Sequence, residues 1–246
     1  MTQVPIDFSL PFVKKEQLSD DAWSFFFDRT AYPDLSFLPG QYVRMTLEIP
    51  QTDERGNSRF FSISSSPLQK EYLTISTRIL KSAFKQSLIA LDHGRNVNFF
   101  GPVGRFFFDP ENIRPTIFLS GGIGITPFRS MLHYIAEKNL TNSVALFASF
   151  SRSEDVLFFD ELSEITNKHQ SVKSIYTVTQ LENSHVKWNG ETGRITARLL
   201  SKYCANLADA QYYISGPPLM VDAMLALVKE IGVPDEQVKK EKFIGY

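Results

Sequence analysis

The chain has 246 residues, 43% apolar and 22% charged, and its 26 basic and 27 acidic side chains leave a formal net charge of −1. This is the balance of a globular protein long enough for two ordinary domains, with no global field to gather nucleic acid or an anionic membrane. A single cysteine, Cys204, excludes an internal disulfide and any iron–sulfur cluster held by four thiolates of this chain, and His93, His133, His169 and His185 lack zinc-like spacing.

From the amino terminus onward, Met1–Leu10 has no basic region ahead of an apolar run and is interrupted by Asp7, so it does not read as a signal peptide. No stretch approaches the about 20 apolar residues of a membrane helix. The expectation is a cytoplasmic protein without a metal centre or membrane span. Between Phe8 and about Phe108, short β-rich runs are separated by turn residues: Ala22–Asp28, Gln41–Ile49, Arg59–Ser65, Tyr72–Leu80 and Asn96–Phe100. One helical segment interrupts them, Ser82 to Leu91, with Phe84, Leu88 and Leu91 at helical spacing. The pattern predicts an antiparallel β-barrel with a capping helix over residues 1–110.

The pattern then changes, with β runs Thr116–Ser120, Ser143–Phe150, Val172–Thr179 and Gln211–Ser215 separated by helical stretches. Such alternation predicts an α/β domain with a parallel sheet over residues 111–246. The clearest helix follows Thr126, where Phe128, Met131, Leu132 and Ile135 share one face. Pro110 and Pro115 with an acidic pair mark the boundary.

Four segments carry candidate chemistry. In Arg59-Phe60-Phe61-Ser62, alternation puts Arg59 and Phe61 on one face and Phe60 and Ser62 on the other; a guanidinium beside a ring suits a diphosphate and a flavin, and a hydroxyl suits the flavin N5. In Leu119-Ser-Gly-Gly-Ile-Gly-Ile-Thr-Pro127, glycines Gly121, Gly122 and Gly124 sit between an apolar strand and an amphipathic helix, the context in which backbone amides meet a diphosphate, and Pro127 suits the first helical turn. Ser215-Gly-Pro-Pro-Leu-Met220 repeats a strand–turn–helix pattern, and both turns fall at the carboxyl edge of one parallel sheet, where ligands collect. Gly101-Pro-Val-Gly104 closes the barrel, and Arg78 and Lys85 flank the helix starting at Ser82, where a diphosphate would meet amides and cations.

In order, Pro39-Gly-Gln-Tyr42, Arg59-Phe-Phe-Ser62, Ser82-Ala-Phe-Lys85, Gly101-Pro-Val-Gly104, Gly121-Gly-Ile-Gly-Ile-Thr-Pro127, Ser215-Gly-Pro-Pro-Leu-Met220 and Glu241-Lys-Phe243 resemble the ferredoxin–NADP reductase superfamily, and most of all its stand-alone, single-chain bacterial members. The resemblance implies a flavoenzyme that takes a hydride from NADPH or NADH onto FAD, ahead of FMN, and passes electrons to a ferredoxin, a flavodoxin or an oxygenase component. FAD would lie between the domains, held by Arg59, Phe61 and Ser62, with its diphosphate near Arg78, Ser82 and Lys85, and Thr126 approaching from the second domain. The nicotinamide site would be built from Gly121, Gly122, Gly124 and Pro127 and from Ser215, Gly216, Pro217 and Met220. Phe243 is the first choice, and Tyr246 the second, for the aromatic that covers the flavin. Ser62, Ser215 and Phe243 are the expected catalytic positions.

Two departures from the family pattern stand out: Phe61 where Tyr is common, and Ser215 where Cys is usual beside the nicotinamide. Arg152 and Arg194 could meet a 2′-phosphate, yet Thr179-Gln180 stands where NADPH users of the family commonly have Ser-Arg, so the coenzyme is left open. A rival reading, favoured by Ser215, is a flavin- or nucleotide-binding regulatory module without turnover; another is an electron-transfer subunit of a larger redox complex.

Overall fold

The computed structural model describes residues 4–49, 52 and 54–244. They form two compact units, one taking the residues up to Phe108 together with Arg129–Tyr134, the other Asp109–Phe128 and the residues from Ile135 onward.

The first unit is antiparallel. Its strands are β1 (Ile6–Gln17), β2 (Ala22–Asp28), β3 (Tyr42–Thr46), β4 (Ser58–Ser62), β5 (Tyr72–Arg78) and, after helix α1 (Ala83–Ile89), β6 (Asn96–Val103). They pair in the order β4-β3-β6-β1-β2-β5, and a bridge between Ile63 and Ile75 joins the two ends, which curls the sheet into the expected barrel. Strand β1 does most to bend it. Residues Ile6–Pro11 pair with β6, a register shift follows between Phe12 and Lys14, and the remainder pairs with β2, so the extra residue turns the strand from one half of the sheet into the other.

Alternation fills this barrel. Phe8, Leu10 and Phe12 from β1, Phe25 and Phe27 from β2, Val43 and Met45 from β3 and Phe99 from β6 all point inward, where Phe27 meets Phe99 edge-on at 5.0 Å. Helix α1 closes one end by burying Phe84 and Leu88. Its start is fixed by the Ser82 hydroxyl, which accepts the Lys85 N–H at 3.2 Å.

The second unit is parallel throughout. Strand β7 (Thr116–Gly121) leads into α2 (Thr126–Glu137), β8 (Val144–Phe150) into α3 (Phe159–Lys168), and β9 (Val172–Val178) through the short β10 (Glu191–Thr192) into α4 (Ala197–Tyr203). Then come β11 (Gln211–Gly216), α5 (Pro218–Glu230) and β12 (Val238–Lys242). The sheet order is β10-β9-β8-β7-β11-β12. All six residues of β7 are buried, as expected of a central parallel strand covered on both faces. Leu199 and Leu200 from α4 and Val221, Met224 and Val228 from α5 pack on one face against Leu119, Phe147, Ile175 and Ile214, while Phe118 stacks on Phe128 of α2 at 4.7 Å on the other.

Strands β8 and β9 build outward on one side of β7, and β11 and β12 on the other, so the order reverses between β7 and β11. No helix among the described residues is long and apolar enough to cross a membrane.

Candidate functional site

Each unit contributes a cluster of its own. In the first, β4 turns Arg59 and Phe61 inward and leaves Phe60 58% exposed, its ring edge-on to Tyr42 at 5.5 Å. Ser62, at the strand end, is also buried, so alternation fails at that last residue. The Arg59 guanidinium curls over its own loop, donating to the carbonyls of Arg55 at 2.8 Å, Gly56 at 2.9 Å and Ser58 at 2.8 Å, and it lies 5.1 Å from the centre of the Phe84 ring. Lys85, only 5% exposed, carries its ammonium 4.7 Å over the Phe61 ring and donates to the Thr77 hydroxyl.

The Lys85 ammonium is held against its preference. Burial, followed by repulsion from Arg59 and Arg55, pulls its pKa from 10.5 to about 7. A cation desolvated beside two more cations is the surrounding an anionic ligand relieves, and the diphosphate of FAD fits it. The other two residues expected here have structural roles: Arg78 is bound through Nη1 to both carboxylate oxygens of Asp21, at 2.6 and 2.7 Å, and Ser82 caps α1.

In the second unit the two glycine turns meet where the sheet order reverses. After β7 the chain makes a 3-10 turn, Gly122–Ile125, directly into α2. A Cβ on Gly124 would lie 2.4 Å from the Ser215 carbonyl oxygen, and one on Gly216 3.1 Å from the Gly121 nitrogen and oxygen. Backbone packs on backbone, which no other residue permits. Pro217 and Met220 close over Gly121, and the Phe243 N–H donates to the Gly216 carbonyl at 2.9 Å, bringing the end of β12 to the same place. Thr126 is buried and donates its hydroxyl to the Ile123 carbonyl at 3.0 Å; Pro127 follows it in the first turn of α2.

Ser120 and Ser215 are register partners across β7 and β11, so their side chains leave the same face of the sheet. Both are fully buried, and neither hydroxyl has a hydrogen-bond partner among the described residues. Unpaired buried hydroxyls are costly and call for a ligand or a mechanistic reason. Sequence reasoning found Ser215 and missed Ser120, because its significance comes from a pairing between distant strands. Nor could it see that Asp155 and Glu154 flank Arg152. Thr179 donates its hydroxyl to the Phe150 carbonyl at 3.3 Å, and Arg194 is exposed after β10. Tyr246 lies outside the described residues.

A strand–glycine turn–helix at the reversal point of a doubly wound sheet, in a chain whose barrel unit buries cations around an aromatic ring, defines a dinucleotide-linked flavoprotein architecture. Comparison with known proteins agrees: residues 9–108 match the oxidoreductase FAD-binding domain and residues 118–225 the oxidoreductase NAD-binding domain. The chain is 31% identical over 240 residues to the flavohemoprotein of Bacillus subtilis, covering 95% of this chain and 59% of that one. It is 32% identical over 196 residues to the 2-halobenzoate 1,2-dioxygenase electron transfer component of Burkholderia cepacia, covering 77% and 54%. The FAD/NAD binding domain of nitric oxide dioxygenase from Vibrio cholerae shares the fold with a TM-score of 0.79 at 21% identity, covering 96% of this chain and 98% of that one. This chain belongs to the ferredoxin–NADP reductase superfamily. It spans less than two thirds of the length of the two curated relatives just named.

Proposed function

We propose that the chain takes a hydride from a nicotinamide coenzyme onto FAD and passes the electrons to a one-electron carrier: a ferredoxin, a flavodoxin or an oxygenase component. The observation that carries this reading is the pair of unpaired hydroxyls, Ser120 and Ser215, set where two glycine turns meet at the carboxyl edge of β7 and β11. FAD, when bound, supplies acceptance of a hydride and its release as single electrons.

The division of labour follows the two domains, residues 1–110 for FAD and 111–246 for the coenzyme. Lys85 and Arg59 would neutralise the diphosphate, Phe61 would give ring contact, and the Ser62 hydroxyl would offer the flavin a hydrogen bond. Gly124 and Gly216 let the two turns close backbone on backbone, and the turns so formed, with Gly121 and Gly122, would present their amides to the coenzyme's phosphates. Ser215 and Ser120 orient the nicotinamide through their hydroxyls, and Phe243 gives way when it enters the Gly216 turn. Positioning, not acid–base chemistry, supplies the acceleration.

Mixing the FAD-loaded chain with NADH or NADPH without oxygen tests this. The oxidised-flavin absorbance near ~450 nm should bleach on coenzyme addition. A colourless polypeptide that takes up neither FAD nor FMN would end the reading, and a yellow one that never bleaches would leave the binding module without turnover.

A further inference from the structure

Helix α2 divides its contacts. Its first residues, Thr126–Phe128, group with the second unit directly after the glycine turn, whereas Arg129–Tyr134 group with the first. Two side chains of this second stretch reach the segment that follows β4. Arg129 Nη1 donates to the Ser64 carbonyl at 2.7 Å, and the Ser130 hydroxyl donates to the Ser65 carbonyl at 2.7 Å.

The segment that receives them is itself fixed. Ile63 N–H donates to the Gln41 carbonyl at 2.9 Å and Ser64 N–H to the Thr74 carbonyl at 2.9 Å, while Ser65 Oγ accepts the Thr74 N–H at 3.0 Å. Ser64 Oγ meets Ser76 Oγ at 2.9 Å, and Ser76 Oγ meets Ser24 Oγ at 2.7 Å, on the strand faces turned away from Phe25 and Ile75 of the barrel core. Ser24, Ser64, Ser65, Ser76 and Ser130 are all buried. A helix that needed only anchoring to a sheet would bury apolar side chains there, because hydrophobic attraction has no direction. Buried hydrogen bonds hold a single register, since a slip would leave the Ser64 and Ser65 carbonyls unpaired away from water.

Few residues separate these bonds from the chemistry. Arg129 is three residues past Thr126, about 4.5 Å of helix, and Ser64 is two residues past Ser62. Hydride transfer is sensitive to placement, and a misplacement of about 1 Å costs up to ~100-fold in rate. Resting on the hydride-transfer reading above, we propose that Arg129 and Ser130 are positioning residues for that step: acting through the Ser64 and Ser65 carbonyls, they keep the coenzyme turn at the start of α2 in register with the Ser62 segment that meets the flavin.

Two measurements on the full FAD-loaded chain test it, each made on the wild type, Arg129→Ala, Arg129→Lys and Ser130→Ala. The first is stopped-flow flavin reduction over a range of NADH or NADPH concentrations, which separates the limiting rate from the half-saturating concentration. The second needs no hydride: saturating NAD+ or NADP+ is added, and the change it causes in the absorbance of the bound oxidised flavin is recorded. In Arg129→Ala the limiting rate should fall about 10- to 100-fold, with a smaller fall in Ser130→Ala. The half-saturating concentration and FAD affinity should stay as in the wild type, and the absorbance change should shrink. Arg129→Lys, which keeps a donor for the Ser64 carbonyl, should recover much of the rate. Bonds that only stabilise the fold would lower the melting temperature and leave the limiting rate untouched, and that result would overturn the proposal. So would loss of FAD, or a raised half-saturating concentration at an unchanged limiting rate. Should Arg129→Ala fail to fold, Ser130→Ala decides by the same readout. A wild type that bleaches, with variants that match it, removes the positioning role and keeps the hydride reading. A wild type that shows the absorbance change without bleaching, with Arg129→Ala losing that change, keeps the positioning role and removes the hydride reading. A wild type that shows neither signal removes both.

Discussion

Lys85 is buried with its ammonium over the face of the Phe61 ring, 4.7 Å from the centroid, in the same cluster as Arg59. The ring's negative face offsets part of the lost hydration, while burial and the neighbouring Arg59 and Arg55 charges pull the ammonium's pKa down to about 7. Helix α1 and strand β4 thereby hold a charge in a setting suited to an anionic ligand.

Stability of the FAD-free chain should therefore depend on pH through Lys85. Its folded pKa, about 7, lies below the unfolded 10.5, so as pH falls between these values the unfolded chain binds the proton first and stability declines; below about 7 it levels off. The full penalty is on the order of 5 kcal/mol. Urea unfolding at a series of pH values between 7 and 10.5 should show this slope, and Lys85→Met should abolish it. A Met variant with an unchanged pH profile would show that another group titrates there.

FAD binding should run against that penalty. A diphosphate beside Lys85 raises its pKa, so binding takes up a proton and FAD affinity falls as pH rises above about 7. Arg59→Ala should weaken FAD by roughly 1.5–3 kcal/mol, the range for a hydrogen bond to a charged group, although its present bonds to the Arg55, Gly56 and Ser58 carbonyls must first be exchanged. Fluorescence titration of FAD across pH, for the wild type and both variants, checks the two statements together.

Much of this architecture is legible in the sequence, and the exceptions have physical causes. β2 is bounded by its own apolar run, and α2 by a face of Phe128, Met131, Leu132 and Ile135, all fully buried. β1 went unassigned although Phe8, Leu10 and Phe12 alternate correctly, because Pro11 and the charged run Lys14-Lys15-Glu16 mask a strand that bends through a bulge. β12, Val-Lys-Lys-Glu-Lys, is a polar edge strand that among the described residues pairs with β11 alone, so no apolar pattern announces it. At the site, the glycine turns show locally, whereas the Ser120–Ser215 pairing and the capture of Arg152 by Asp155 depend on registry and rotamer, which composition and spacing do not encode.

Gly124 should tolerate no side chain. The Cβ of an alanine would meet the Ser215 carbonyl oxygen at 2.4 Å and Gly216 Cα at 2.6 Å, and neither backbone atom can rotate aside as a flexible side chain could. Gly124→Ala should cost about 1–3 kcal/mol, the usual penalty for overpacking, and should raise the KM for coenzyme as the two turns are pushed apart. Thermal melts together with steady-state kinetics measure both effects; a variant with wild-type stability and KM would refute the close approach.

The Ser120–Ser215 pair predicts an inverse relation between stability and rate. Each hydroxyl is buried without a partner among the described residues, so Ser215→Ala or Ser120→Ala removes an unsatisfied polar group and opens little space. The coenzyme-free chain should become more stable by about 1 kcal/mol per site, or at least no less stable. Flavin reduction by coenzyme should slow in the same variants, because the donors proposed to orient the nicotinamide are gone. Ser215→Cys fills the position with a larger, more polarizable atom against the Gly124 turn, and its reduction rate should exceed that of Ser215→Ala. Denaturant unfolding paired with stopped-flow reduction checks this. If the alanine variants lose stability, the hydroxyls already have partners in the folded chain; if they keep full reduction rates, neither serine touches the coenzyme.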